Sequence, residues 1–153
     1  MTTHLPTRVP LTAITNSLAL MNALNDVRDL TLLGLGGQFY NWCNAFMGHV
    51  TTSEIRRLRA DRVFMSMSAI TDGMVFHQSP DMVETKRAMF DSAAMRILLA
   101  DRTKFDRRAL HALCPLEDFD VVIVDDAMPP GQVDRMRQRG INIVVAPVLP
   151  GHG

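Results

Sequence analysis

The run Ser79-Pro80-Asp81-Met82-Val83-Glu84-Thr85-Lys86-Arg87-Ala88-Met89-Phe90, continued by Ile97-Leu98-Leu99-Ala100-Asp101-Arg102-Thr103-Lys104-Phe105, decides the fold. Ser79 is a side-chain cap for free backbone N–H groups, and Pro80 suits the first helical position. Met82, Lys86, Met89, Phe90 and Ala93 recur at helical spacing and are expected to share one face. All but Lys86 are apolar, so that face is buried, and a lysine on it needs an anion or a carboxylate because an isolated buried ammonium is costly. An apolar strand over 97–100 follows and stops at Asp101, with Lys104 just beyond. Ligands of parallel α/β sheets bind outside the carboxyl ends of the strands. Lys104 therefore stands where a ligand phosphate is expected, with Lys86 approaching from the neighbouring helix. Two plainer readings stay open: Lys86 snorkels its head to water, and Lys104 is an ordinary loop lysine.

Outward from this stretch, strands and helices alternate. Residues 11–14 read as a strand, and Thr15-Asn16-Ser17 closes it with caps for a helix carrying Leu18, Met21 and Leu24. A strand over 30–35 ends in Gly36-Gly37, a pair that permits a tight turn and close approach of backbone N–H groups to a ligand. Residues 38–48 show no period and read as a loop. Thr51-Thr52-Ser53-Glu54 reads as a capped helix start, 62–67 as a strand and 68–73 as a loop at its carboxyl end. Downstream, 110–113 is a short extension ended by Pro115. Val121-Val122-Ile123-Val124 is the all-apolar run of a doubly covered parallel strand, ending at Asp125-Asp126. Pro129-Pro130 starts a helix that Gly140 ends, and 141–146 is the last strand. This alternation predicts a three-layer α/β sheet.

The chain has 153 residues, 47% of them hydrophobic, enough for one domain with a real core. A formal net charge of +0 argues against its gripping a nucleic-acid backbone by itself. The basic clusters Arg56-Arg57-Leu58-Arg59 and Arg107-Arg108 read as solvated faces. No apolar run approaches the roughly 18 residues that span a bilayer, and no basic-then-apolar leader opens the chain. Cys43 and Cys114 lack disulfide-framework or zinc spacing, so a reduced, cytoplasmic setting is expected. The 11 methionines read as core filling or an adaptable contact surface.

Signals for catalysis are sparse. A nucleophile elbow, a Walker-type phosphate loop and a complete dinucleotide fingerprint are all missing. The histidines (His4, His49, His77, His111, His152) have no ligand spacing. Asp101, Asp125, Asp72 and Glu84 could serve acid–base work, although capping and lysine pairing are their commoner duties. No metal, cofactor or catalytic residue is expected.

In order, Thr15-Asn16-Ser17, Gly36-Gly37, Gly48 and Ala60-Asp61 before Phe64 resemble the effector-sensing domain of DeoR-family transcriptional regulators. The match sharpens at Glu84-Thr85-Lys86-Arg87-Ala88-Met89 and at Leu99-Ala100-Asp101-Arg102-Thr103-Lys104-Phe105, and Val122-Ile123-Val124-Asp125-Asp126 stands where that family has its penultimate strand. The resemblance implies a mostly parallel, Rossmann-like three-layer sheet of the sugar-phosphate isomerase type, related to ribose-phosphate isomerase and glucosamine-phosphate deaminase. It implies a single sensing domain over 1–153 that binds a phosphorylated sugar, works as a homo-oligomer off the membrane, and meets operator DNA only through a winged helix-turn-helix missing from this chain. The family's first strand and the first half of its phosphate loop are also expected to be missing, with Thr2 and Thr3 the tail of that loop. Ala69 and Thr71 replace residues that the family often has as Gly and Asp. Carried over by position, the effector site would comprise Thr2, Thr3, Asn16, Gly36, Gly37, Lys86, Asp101 and Lys104, with Asp72 and Glu84 behind them. Lys104 would hold the phosphate by charge-assisted hydrogen bonds, and Lys86 would pair with the sugar or with Asp101. The competing expectation is an isomerase or deaminase on the same fold, with Asp72 or Glu84 as base.

Overall fold

A computed structural model describes residues 8–147 as two compact units, one ending at Leu58 and one beginning at Arg59. Thr2 and Thr3 lie outside the described residues.

In the first unit, β1 (Leu11–Thr15) and β2 (Leu30–Gly34) pair in parallel from Leu11↔Leu30 to Thr15↔Gly34. Parallel neighbours need a crossover, and α1 (Leu18–Leu24) supplies it, capped by Ser17, whose Oγ accepts from the Leu20 N–H at 3.4 Å. Residues 38–48 are not a loop throughout. They fold into an antiparallel pair, β3 (Gln38–Tyr40) with β4 (Ala45–Met47). Asn44 takes the left-handed turn position at φ 51°, and the Phe39 and Phe46 rings meet across the strands at 5.2 Å. A cross-strand aromatic pair stabilises three-residue strands too short to show a period. The next helix, α2 (His49–Arg56), starts earlier than Thr51-Thr52 suggest, with Gly48 at its cap, and both threonines are fully buried inside it.

The second unit runs β5 (Ala60–Met65), β6 (Ala69–Thr71), β7 (Met74–His77), α3 (Pro80–Ser92), β8 (Ala93–Ala100), β9 (His111–Pro115), β10 (Val121–Asp125), α4 (Pro130–Gln138) and β11 (Ile143–Ala146). A four-stranded sheet in the order β11-β10-β8-β5 is parallel throughout. A three-stranded antiparallel sheet has the order β6-β7-β9. The chain is thus mixed α/β with a mostly parallel main sheet, in keeping with the three-layer class its alternation predicts. The stretch 68–73 is a hairpin arm rather than a loop: Asp72 and Gly73, at φ 50° and 77°, make the tight turn between β6 and β7.

Ser79 caps α3 through its Oγ, which accepts from the Met82 N–H at 3.5 Å, and Pro80 opens the helix. The buried face of α3 is Thr85, Ala88 and Phe90, with Val83 and Met89 packed beside it. Ala93 leaves that face, its backbone already extended at φ −106°, ψ 143°. β8 consequently begins four residues ahead of the expected Ile97, because Ala93 and Met95 pair with Ala60 and Arg62 of β5. Arg96 covers the joint, its guanidinium 4.5 Å from the Phe90 ring centre and its Nε donating to the Phe90 carbonyl at 3.2 Å.

One face of the parallel sheet packs into the core. Met65, Leu98, Ala100, Val122, Val124 and Ile143 join Phe90 of α3 and Val133 and Met136 of α4 in one core. On the opposite face Phe64, Met95 and Val144 stay 46%, 38% and 46% exposed. No described helix is long and apolar enough to cross a membrane.

Candidate functional site: a cationic cavity at the strand ends

A cavity of about 440 Å³ opens where β5 and β8 reach their carboxyl ends. Three segments build it. Ser66, Met67 and Ser68 follow β5; His77, Gln78, Met82 and Lys86 come from the end of β7 and from α3; Lys104, Arg107 and Arg108 come from the turn after β8. Its size is in the range of small-molecule sites.

Lys86 is half-buried, as its place on α3 predicts. Its Nζ donates to the Ser66 carbonyl at 2.6 Å, a short charge-assisted hydrogen bond to the first residue past β5. Beside it, His77 is only 9% exposed. Burial, and then the Lys86 charge, push its pKa down to about 4. A neutral ring fits its bonding: Nδ1 accepts from the Ser79 N–H at 3.3 Å, which assigns the ring proton to Nε2.

The turn after β8 is tied down at both ends. Asp101 caps a 3-10 turn, Arg102–Phe105, by accepting from the Thr103 N–H at 2.9 Å and from the Thr103 hydroxyl. The Thr103 hydroxyl, with help from Lys104, holds the Asp101 carboxyl below its ordinary range. Lys104 Nζ lies 3.7 Å from that carboxylate. The Arg102 N–H donates to both carboxylate oxygens of Asp125, at 3.3 and 3.2 Å, fastening the turn to the neighbouring strand end. Further along, the Arg107 carbonyl accepts from Thr71 Oγ1 at 3.3 Å and the Arg108 carbonyl from Gln78 Nε2 at 3.0 Å. These bonds hold the Arg107-Arg108 backbone against the β6–β7 arm.

Of the residues expected at an effector site, Lys86 and Lys104 line this cavity and Asp101 positions Lys104. Asp72 sits in the β6–β7 turn and Glu84 on an exposed position of α3, and neither lines it. Asn16, Gly36 and Gly37 belong to the first unit, where each has packing work. Asn16 Nδ2 donates to the Phe46 carbonyl at 2.7 Å, and the Gly36 carbonyl accepts from Thr51 Oγ1 at 2.7 Å. Gly37, at φ 140°, passes so close to Thr51 that a Cβ would lie 2.1 Å from its Oγ1. The stretch Ser66-Met67-Ser68-Ala69-Ile70, which the family resemblance sets beside the sugar end, supplies Ser66, Met67 and Ser68 to the lining, whereas His77 and Gln78 are not expected there and Arg107-Arg108 read as a solvated face. Their only sequence signal is adjacency: each follows a strand end, and the arginines come just after Lys104.

Other chemistry finds little support among the described residues. No three His, Cys, Asp or Glu side chains converge to hold a metal. Burial, and next the charge of Asp118, raise the Cys114 thiol to about 11, so it is unreactive at neutral pH.

Residues 1–126 match the family model of the DeoR C-terminal sensor domain, and the chain belongs to that family. It is 27% identical over 143 residues to the HTH-type transcriptional regulator YgbI of Escherichia coli K12, an alignment covering 94% of this chain and 56% of that protein. It is 28% identical over 125 residues to the lactose phosphotransferase system repressor of Lactococcus lactis, covering 82% of this chain and 49% of that one. Over 133 residues it is 27% identical to the glycerol-3-phosphate regulon repressor of Haemophilus influenzae, covering 86% and 51% respectively. The chain thus spans about half the length of these relatives.

Proposed function

We propose that the chain is the effector-binding part of a transcriptional regulator that senses a phosphorylated sugar or a related metabolite in the cytoplasm. The observation that carries this reading is the convergence of Lys86 and Lys104 on one cavity at the carboxyl ends of adjacent parallel strands. A phosphate held by both ammonium groups would join α3 to the turn after β8. A ligand shifts a conformational equilibrium only by its difference in affinity for the two states. Drawing these segments together is such a difference, and in an oligomer it would pass to a helix-turn-helix domain and alter operator affinity. The names of the relatives, repressors of a lactose phosphotransferase system and of a glycerol-3-phosphate regulon, support the effector class. An isomerase or deaminase would need a carboxylate base over the sugar, and the described lining carries no Asp or Glu, which favours binding without turnover.

Thermal unfolding against a panel of sugar phosphates and their unphosphorylated parents tests this. A site filled at about 100 times its dissociation constant adds roughly 2.7 kcal/mol of stability. At least one phosphate should raise the melting temperature, its parent sugar should not, and Lys104→Ala should abolish the shift. A well-folded sample that responds to no phosphate would overturn the reading.

A further inference from the structure

Arg107 and Arg108 are the part of the cavity that binding of a single phosphate does not use. Lys86 and Lys104, both half-buried, already bring two ammonium-bearing side chains to the lining. The arginines also line the cavity, and among the described residues neither has an ion pair or a side-chain hydrogen bond. Both side chains are exposed, yet their backbones are fixed by the Thr71 and Gln78 hydrogen bonds. They are therefore held at the mouth on a fastened segment, unlike arginines on a free loop.

The local charge balance is one-sided. The lining brings together four cationic side chains and no carboxylate. Asp101, outside the lining, lies 3.7 Å from Lys104. His77 adds no charge near neutral pH, being neutral there. A phosphate monoester carries about 1.5 to 2 negative charges at neutral pH, which with Asp101 answers the lysines and part of the arginine charge and still leaves the site net positive. Guanidinium presents a planar fork that matches carboxylate and phosphate oxygens in pairs. The opposite end of the ligand from the lysine-held phosphate is where such a group would meet them.

We propose that the effector carries two anionic groups, a phosphate taken by Lys86 and Lys104 and a second phosphate or carboxylate taken by Arg107 and Arg108. The class is thus a sugar bisphosphate or a phosphorylated sugar acid rather than a neutral sugar monophosphate. This rests on the reading of the cavity as the effector site and narrows it. His77, with its Nε2 proton, and the hydroxyls of Ser66 and Ser68 remain for the sugar between the two ends.

Isothermal titration calorimetry of this chain at about 0.15 M ionic strength with four probes decides it. The probes are fructose 6-phosphate, fructose 1,6-bisphosphate, 6-phosphogluconate and inorganic pyrophosphate. Either the bisphosphate or the phosphogluconate should bind at least about tenfold tighter than fructose 6-phosphate, as a second charge-assisted contact provides; which of the two wins identifies the second group. Arg107→Gln with Arg108→Gln should bring that advantage to within about twofold, whatever general weakening the loss of two cations causes for every phosphate probe. Lys104→Ala should weaken all the sugar probes together. Equal affinity for one and two anionic groups, or an advantage that survives in the double variant, overturns the inference while the sensor reading stands. Pyrophosphate binding as tightly as the best sugar probe would mean a general polyanion patch and also overturns it. If no sugar phosphate binds the folded chain, the sensor reading falls and this inference falls with it.

Discussion

His77 is a neutral imidazole kept among cations, and its titration should be visible in the stability of the chain. Its folded pKa of about 4 lies below the ordinary 6.5. Between those values the unfolded chain binds more protons than the folded one, so stability rises with pH across the window. The contribution is fully present above about 6.5 and is lost as the pH falls towards 4. Allowing for solvent at the cavity mouth, the loss should be of the order of 2 kcal/mol. Urea unfolding at a series of pH values checks this: His77→Asn should flatten the slope between pH 4 and 6.5, and an unchanged slope would remove His77 as its source. Asp101 acts lower, since its depressed carboxyl loses its bonds only as the pH falls below its ordinary 3.8. A second contrast lies in α2, where Thr51 and Thr52 are both fully buried. Thr51 donates to the Gly36 carbonyl, whereas the Thr52 hydroxyl has no partner among the described residues. Thr51→Val should therefore cost about 1–3 kcal/mol by stranding a carbonyl, and Thr52→Val should be neutral or stabilise by roughly 1 kcal/mol. Equal effects in denaturant melts would refute the distinction.

The helix that carries Lys86 depends on its first turn. Replacing Ser79 by Ala removes the acceptor for the Met82 N–H, and a cap of this kind is worth about 1 kcal/mol. His77 Nδ1 also takes the Ser79 backbone N–H, so the loss should be felt at the cavity as weaker effector binding. Circular dichroism melts and the same titrations read both; a destabilised protein with unchanged affinity would separate helix from site. This cap, the alternation of elements and the strand-end positions of Asp101 and Asp125 were all legible in the sequence, because each is a local signal. β8 was only half legible. Ala93, Ala94, Met95 and Arg96 carry no strand pattern of their own and are drawn into the sheet by β5, far away in sequence. The β3–β4 and β6–β7 hairpins were missed for a related reason: strands of three or four residues are too short to display a period, and their turns use Asn44 and Asp72 in left-handed conformations. Two of the four cationic residues of the candidate site were legible by the same logic. Lys86 and Lys104 follow from helical spacing and a strand end. Arg107 and Arg108 have their carbonyls held by Thr71 and Gln78, bonds that span 36 and 30 residues and leave no local signal.

At the scale of the whole chain, every lining residue of the cavity belongs to the second unit. An effector bound there should stabilise that unit by the linkage of ligand to fold, and hydrogen exchange reads the effect residue by residue. At about 100 times the dissociation constant, amides that exchange only through opening of the site should slow roughly a hundredfold. The expected protection falls on 66–68, 77–86 and 101–108, the three segments that build the lining. Amides of β10 and α4 should slow as well if the second unit opens cooperatively, because its core runs unbroken from Phe90 to Val133 and Met136. Asn16, Gly36 and Gly37 are the discriminating positions. Their hydrogen bonds and close approaches satisfy packing within the first unit, so their protection should change little. Strong slowing at Gly36 and Gly37 would instead add those backbone N–H groups to the effector contacts, as the family resemblance implies. No slowing in 101–108 would take Lys104 out of the site and leave the cavity without its phosphate clamp.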